Sequence, residues 1–152
     1  MTATLTEWLR PRAIELDVET PDREAALVHL VEQVAAPDAV ARLVEGVLER
    51  EKLGTTAIGG SVAVPHVRVA GQGSPLLACL RTRESLLYSP GNSVRILFLA
   101  ITDTTDPARH LRILADIARV AQNTGLVNSL LETSSPDAFW DLLRAASSKS
   151  SP

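Results

Sequence analysis

The run Val94–Ile101 is apolar at every position except Arg95, and it restricts the fold more than any other stretch of the chain. Consecutive apolar side chains on a strand leave no face for water, so this run reads as a central strand covered on both sides. Leu76–Leu80 is a second apolar run of strand length. Ile14, Leu16 and Val18 alternate with polar residues, the pattern of a half-buried strand.

Between these strands the period changes. Thr20-Pro21 offers an N-cap and a first-turn proline, and Leu27, Leu30, Val31 and Val34 follow at helical spacing, with His29 on the opposite, solvated face. Pro37-Asp38 opens a second helix with Val40, Leu43, Val44, Val47 and Leu48 on its stripe, and Gly54 is its expected terminator. Asp106-Pro107 caps a third, with Leu111, Leu114, Ala115 and Ala118 as its apolar positions. Leu126–Leu131 is helical, and Pro136-Asp137 opens the last helix through Phe139, Leu142 and Leu143. Helices before, between and after strands define an α/β chain. No repeat and no long linker divides it, so the expectation is one domain over residues 1–146 and a disordered polar tail over 147–152.

Composition removes several classes of function. Net charge is −3 with no basic stripe, which disfavours nucleic acid as a partner, and an aromatic content of 3% is too low for a base-stacking platform. Three histidines and one cysteine have no pair at metal-ligand spacing, so no metal site is expected. The lone Cys79 lies inside an apolar run and reads as a small core residue of a reducing compartment. The N-terminus has no basic and apolar leader pattern, and no stretch approaches the roughly 18 apolar residues of a membrane span. These features together predict a cytoplasmic chain without membrane insertion.

The chemistry concentrates in Gly54-Thr55-Thr56-Ala57-Ile58-Gly59-Gly60-Ser61-Val62-Ala63-Val64-Pro65-His66. Glycines let backbone N–H groups approach a ligand, and such a nest, with the hydroxyls of Thr55, Thr56 and Ser61, suits an anion. Val62–Val64 reads as a strand entering His66, and Pro65 ends the ladder and stiffens the chain just before the imidazole. Two readings fit the residues alone: an oxyanion cradle beside a histidine at a strand end, or a plain Gly-rich turn before an edge strand. A nucleotide P-loop is excluded because no Lys followed by Ser or Thr comes after the glycines. A serine-hydrolase elbow is excluded because Gly59–Ala63 lacks its final glycine and leads into a strand.

Arg50-Glu51 followed by this stretch resembles the active-site segment of the enzyme IIA proteins of the fructose/mannitol/nitrogen class, part of the phosphoenolpyruvate-dependent phosphotransferase system. The family pattern runs R-E, then S/T-T-G-I-G-x-G-I/V-A-I/V-P-H, and its last histidine corresponds to His66. The resemblance spans roughly Leu5 to Leu143; Leu5 to Leu16 resembles the family's start, and His110-Leu111 its second histidine region. Ala57 and Ser61 stand where the family usually has glycine. The resemblance implies a small mixed β-sheet with helices packed on both faces. It also implies a phosphoryl carrier rather than a turnover enzyme, one that uses no cofactor.

In that reading His66 takes a phosphoryl group from a phosphohistidine on HPr or its nitrogen-branch paralogue. His110 orients the ring or shares the phosphate. Arg50 clamps the phosphate in bidentate fashion, with Thr55, Thr56 and Ser61 as further donors and Arg68 as a lesser candidate. Without the resemblance, Arg50 reads as a solvated helix-end cation and His110 as a helix residue packing beside Leu114. Two functions follow from the resemblance. A nitrogen-type regulator would change its partners with phosphorylation state, and a sugar-specific component would pass phosphate to a IIB domain. Ala57 and Ser61 also admit a binding module that has lost phosphorylation.

Overall fold

A computed structural model describes residues 5–149. The strand expected at the centre is β6 (Asn92–Asp103), buried without interruption from Ile96 to Asp103. Its antiparallel neighbour is β5 (Leu76–Ser89), and β1 (Ile14–Val18) lies parallel to β5 on the far side. Along the other edge of β6 run two short parallel strands in succession, β3 (Val62–Ala63) and β4 (His66–Val69). A further strand, β2 (Ala57–Gly59), pairs antiparallel with β3. The six-stranded sheet is therefore mixed, in the order β1-β5-β6-β3-β2 with β4 also on β6.

Consecutive burial along β5 and β6 requires helices on both faces. On one side α2 (Arg23–Val34) and α3 (Val40–Lys52) pack on each other and reach β5 and β4. On the other, α4 (Pro107–Gln122) packs against β6 and β2, with α1 (Leu5–Trp8), α5 (Thr124–Leu131) and α6 (Pro136–Lys149) grouped around it. The buried cluster of Leu, Ile, Val and Ala side chains is continuous through both layers, so the chain forms a single-domain α/β fold. No helix among the described residues is long and apolar enough to cross a membrane.

Several local expectations need correction. The cap of α2 is Asp22, whose Oδ1 accepts the Ala25 N–H at 2.9 Å, because Thr20 instead bonds the Asp22 carbonyl. The buried stripe of α4 is His110, Ile113, Asp116, Ile117, Val120 and Ala121, so Leu111 is left 65% exposed and Ala115 faces solvent. The apolar run Leu76–Leu80 is only the first part of β5. Beyond Arg81 the strand bulges strongly, since more residues lie between Arg81 and Leu86 than between their partners Ile96 and Val94. Arg95, the one polar residue of the apolar run, ties that bulge down with two donations to the Thr82 carbonyl, at 2.9 and 2.7 Å. The bend carries the hairpin tip, including Tyr88, back to the end of α3. The last helix extends to Lys149, and the remainder of the tail expected over 147–152, residues 150–152, lies outside the described residues.

The turn between β2 and β3 rests on the C-terminal end of α4. Gly60 has φ +62°, and a Cβ there would stand 2.7 Å from the Ala121 carbonyl oxygen. Gly71 has φ +81° with nothing within 4 Å of the same position. Gly60→Ala is expected to cost about 2–4 kcal/mol, from left-handed backbone plus overpacking, and Gly71→Ala only about 1–2 kcal/mol. Urea unfolding of the two variants checks this; equal losses would show that the Ala121 contact yields freely.

Candidate functional site

The site begins with a missing donor. Pro65 has no N–H, so the ladder along β6 breaks at Val64–Pro65, yet both flanking strands keep one register, Val62 opposite Ile96 and His66 opposite Ala100. The Val64 N–H turns away to the Thr56 carbonyl at 2.9 Å, while Pro65 still accepts from Ala100 N at 3.1 Å. The Val64 carbonyl accepts from the His66 ring, with Nδ1 at 2.7 Å. A carbonyl only accepts, so Nδ1 carries the proton and Nε2 keeps its lone pair. His66 thus opens strand β4 rather than ending the strand before it, which corrects the expected geometry.

His110 arrives from the opposite element. Asp106 caps α4, its Oδ1 accepting the Arg109 N–H at 3.1 Å, and this fixes the first turn from which His110 projects inward, 7% exposed. Its Nδ1 lies 2.6 Å from Thr102 Oγ1 on β6, and Thr102 pairs with Arg68 of β4. The rings of His66 and His110 stand 5.5 Å apart, tilted by 52°. The positive end of α4 points at the same place.

Burial, Arg50 and Arg68 hold the His66 pKa below its ordinary 6.5, against the opposing pull of the Val64 carbonyl and Glu51. His110 is pushed down to about 4, first by burial and then by His66 and Arg68. Both rings are neutral at pH 7, and two guanidinium groups supply the local positive charge. Arg50 also donates from Nη1 to the Gly54 carbonyl at 3.2 Å, which holds the loop after α3. Arg68, the lesser candidate from sequence, acts on both rings.

The hydroxyl residues separate. Thr55 lies at the start of the loop, its Oγ1 donating to Ser89 Oγ at 2.9 Å and accepting from Ala57 N at 3.2 Å. Thr56 is buried, and its N–H and hydroxyl both go to Glu51, at 2.8 Å each. Its donors therefore serve the protein interior, not an anion at the surface. Ser61 is not brought to His66 at all. Its carbonyl accepts from Arg95 and Ile96, and His66 lies opposite Ala100, so about 13 Å of strand separates them. Ser61 also takes φ 68°, a left-handed conformation that glycine adopts more readily, whereas Ala57 has no such requirement. Gly59 and Gly60 belong to that same distant turn.

Glu51, Tyr88 and Thr102 were missed. Glu51 left a signal, since it continues the Leu43–Val47 stripe at intervals of four and is 4% exposed. Tyr88 donates to Glu51 at 2.9 Å from the folded-back hairpin, and burial raises its phenol pKa above the ordinary range. No spacing in the sequence announces that contact, nor the one made by Thr102. Among the described residues, no group of three or more His, Cys, Asp or Glu side chains gathers as a metal site would require.

A histidine with a free Nε2, a second ring beside it and two arginines in reach can accept an anionic electrophile. The comparisons agree with that chemistry. A nitrogen regulatory protein of Bradyrhizobium diazoefficiens is 29% identical over 143 residues, 91% of this chain and 94% of that protein. A fructose-specific EIIABC component of Bacillus subtilis is 26% identical over 147 residues, 91% of this chain but 23% of the relative, so the chain spans less than a quarter of that protein's length. The crystal structure of the nitrogen regulatory protein IIA-Ntr from Neisseria meningitidis superposes with a TM-score of 0.84 at 27% identity, covering 91% of this chain and 97% of that one. Residues 7–146 match the family described as phosphoenolpyruvate-dependent sugar phosphotransferase system, EIIA 2, and the chain belongs to that family.

Proposed function

We propose that this phosphocarrier accepts a phosphoryl group on His66 Nε2 from a phosphohistidine on an HPr-like carrier, in the cytoplasm, and acts as a nitrogen-type regulatory protein. The observation that carries the reading is the 2.7 Å bond from His66 Nδ1 to the Val64 carbonyl, which leaves the other nitrogen as the nucleophile. In the transfer, the Nε2 lone pair forms the new N–P bond while the donor's N–P bond breaks in line and its electrons return to the donor ring. The His66 ring becomes cationic as it attacks, and the Nδ1–H bond to Val64 strengthens with that charge. Arg50, Arg68 and the positive end of α4 face the charge on the phosphoryl oxygens, and His110 is placed to share them.

Support for the nitrogen-type role comes from the two nitrogen regulatory proteins above, each aligned over most of its own length. A phosphoryl group adds a charge of about −1.5 to −2, enough to change which surface docks against the site. The sugar-uptake reading has its own support. IIA domains of this system pass phosphate to IIB domains, and the fructose-specific relative aligns over nearly the whole of this chain.

Incubation with phosphoenolpyruvate, enzyme I and an HPr-like carrier should give an acid-labile phosphohistidine that His66→Ala lacks entirely. His110→Ala should still be labelled, but roughly 10²–10³-fold more slowly, as for removal of one preorganised donor. Ser61→Ala should match the parent. Label persisting in His66→Ala would refute the assignment. Adding purified fructose- or mannitol-type IIB then separates the two roles: rapid loss of label to IIB means sugar uptake, and retention means regulation.

The pH behaviour is a second check. NMR titration should place the His66 midpoint below 6.5 and His110 near 4. After His66 is phosphorylated, the added negative charge favours the protonated form of its neighbour, so the His110 midpoint should rise. A His110 midpoint that stays fixed would place the phosphoryl group out of its reach.

A further inference from the structure

Glu51 occupies a place where a carboxylate is unfavourable. It is buried, it stands at the negative end of α3, and an apolar residue would have continued the stripe of Leu43 and Val47. Its carboxylate is offset by three donors: the Thr56 N–H at 2.8 Å, the Thr56 hydroxyl at 2.8 Å and the Tyr88 hydroxyl at 2.9 Å. The Thr56 hydroxyl and Tyr88 oxygen are also within 2.9 Å of one another, so the three side chains form one closed cluster.

The cluster leads to the histidine. Thr56, held by Glu51, accepts from the Val64 N–H at 2.9 Å, and Val64 in turn accepts from His66 Nδ1 at 2.7 Å. The next residue back, Arg50, is one of the two cations facing the ring. We propose that Glu51 is a positioning residue for His66: it pins Thr56, Thr56 pins Val64, and the Val64 carbonyl selects which ring nitrogen is left free. The negative charge of Glu51 also balances the cationic ring that forms during attack. Strand alternation already turns Val64 away from β6, and this chain of contacts fixes where its carbonyl stands against the imidazole.

Charged and titratable groups from five elements face this region: Arg23 from α2, against the Tyr88 ring, Arg50 and Glu51 from α3, Arg68 from β4, His110 from α4 and Tyr88 from β5. A test must therefore separate orientation from charge. Two variants do so. Glu51→Leu fills the space and removes every hydrogen bond, whereas Glu51→Gln removes the charge but keeps an amide oxygen for the Thr56 N–H, with its NH2 turned to the Thr56 and Tyr88 hydroxyls, which can accept. The primary readout is the tautomer of the His66 ring by nitrogen-15 NMR on the unphosphorylated protein. It needs no carrier, so it stands or falls separately from the phosphoryl-acceptor reading on which the rate effect rests.

The parent should show the Nδ1–H form. Glu51→Leu should shift the population toward Nε2–H, the form that predominates when no partner holds the ring, and slow phosphoryl acceptance by about 10–100-fold, by analogy with the loss of a group that orients a metal-bound histidine. Glu51→Gln should restore the tautomer and most of the rate, with a His66 midpoint lower than in the parent because a charge favouring the imidazolium is gone. If Glu51→Leu does not fold, the Glu51→Gln midpoint decides: a fall supports the proposal and no change overturns it. A folded Glu51→Leu with parental tautomer and rate overturns it as well. So does a Glu51→Gln variant as impaired in tautomer as Glu51→Leu.

Discussion

One edge of β6 organises this molecule. Two short strands share that edge in a single register, and between them the ladder lacks the N–H that Pro65 does not have, although its carbonyl still accepts from Ala100. The carbonyls of Ser61 and Pro65 bond to β6, so strand alternation turns Val64 to the other side, where its carbonyl is free to accept from the ring. Placing proline next removes one ladder donor only, so the irregularity just before His66 costs the sheet little. The rest of the fold can be understood as holding the Val64 carbonyl in place. The interior of β6 is buried on both faces, Thr56 accepts the diverted Val64 N–H, and Glu51 fastens Thr56.

The electrostatics divide labour in the same way. Two neutral imidazoles stand together because neither is charged enough to repel the other, and burial keeps both neutral. The positive charge sits on guanidinium groups, which do not titrate near neutrality and so remain available whichever form the rings take. Glu51 acts on the ring with a negative charge and the two arginines with positive ones. Burial and the arginines disfavour a cationic ring at rest, Glu51 and the Val64 carbonyl partly offset that, and the arginines favour negative charge on whatever the ring binds.

Much of this was legible in the chain. The apolar run of β6, the helical periods around it and the Pro65-His66 punctuation are local patterns, and local patterns survive folding. Ser61 misled because it is only five residues from His66 in sequence, whereas an extended chain spreads five residues along the length of a strand. Leu111 misled because α4 is rotated to bury His110, a polar residue that periodicity counts as a solvent position. Tyr88 could not be found, because its contact with Glu51 depends on how sharply the bulge after Arg81 bends the hairpin. That angle is a tertiary property, tied to the clamp of Arg95 on the Thr82 carbonyl.

The strand that presents His66 is only four residues long and pairs with β6 on one side among the described residues. An unpaired border of backbone donors and acceptors is a template on which other chains can add and aggregate. Brevity and the outward guanidinium of Arg68 make this border a poor template, while still leaving the imidazole at the rim where a visiting macromolecule can meet it. Self-association and reactivity are thereby separated by a short strand and one outward charge.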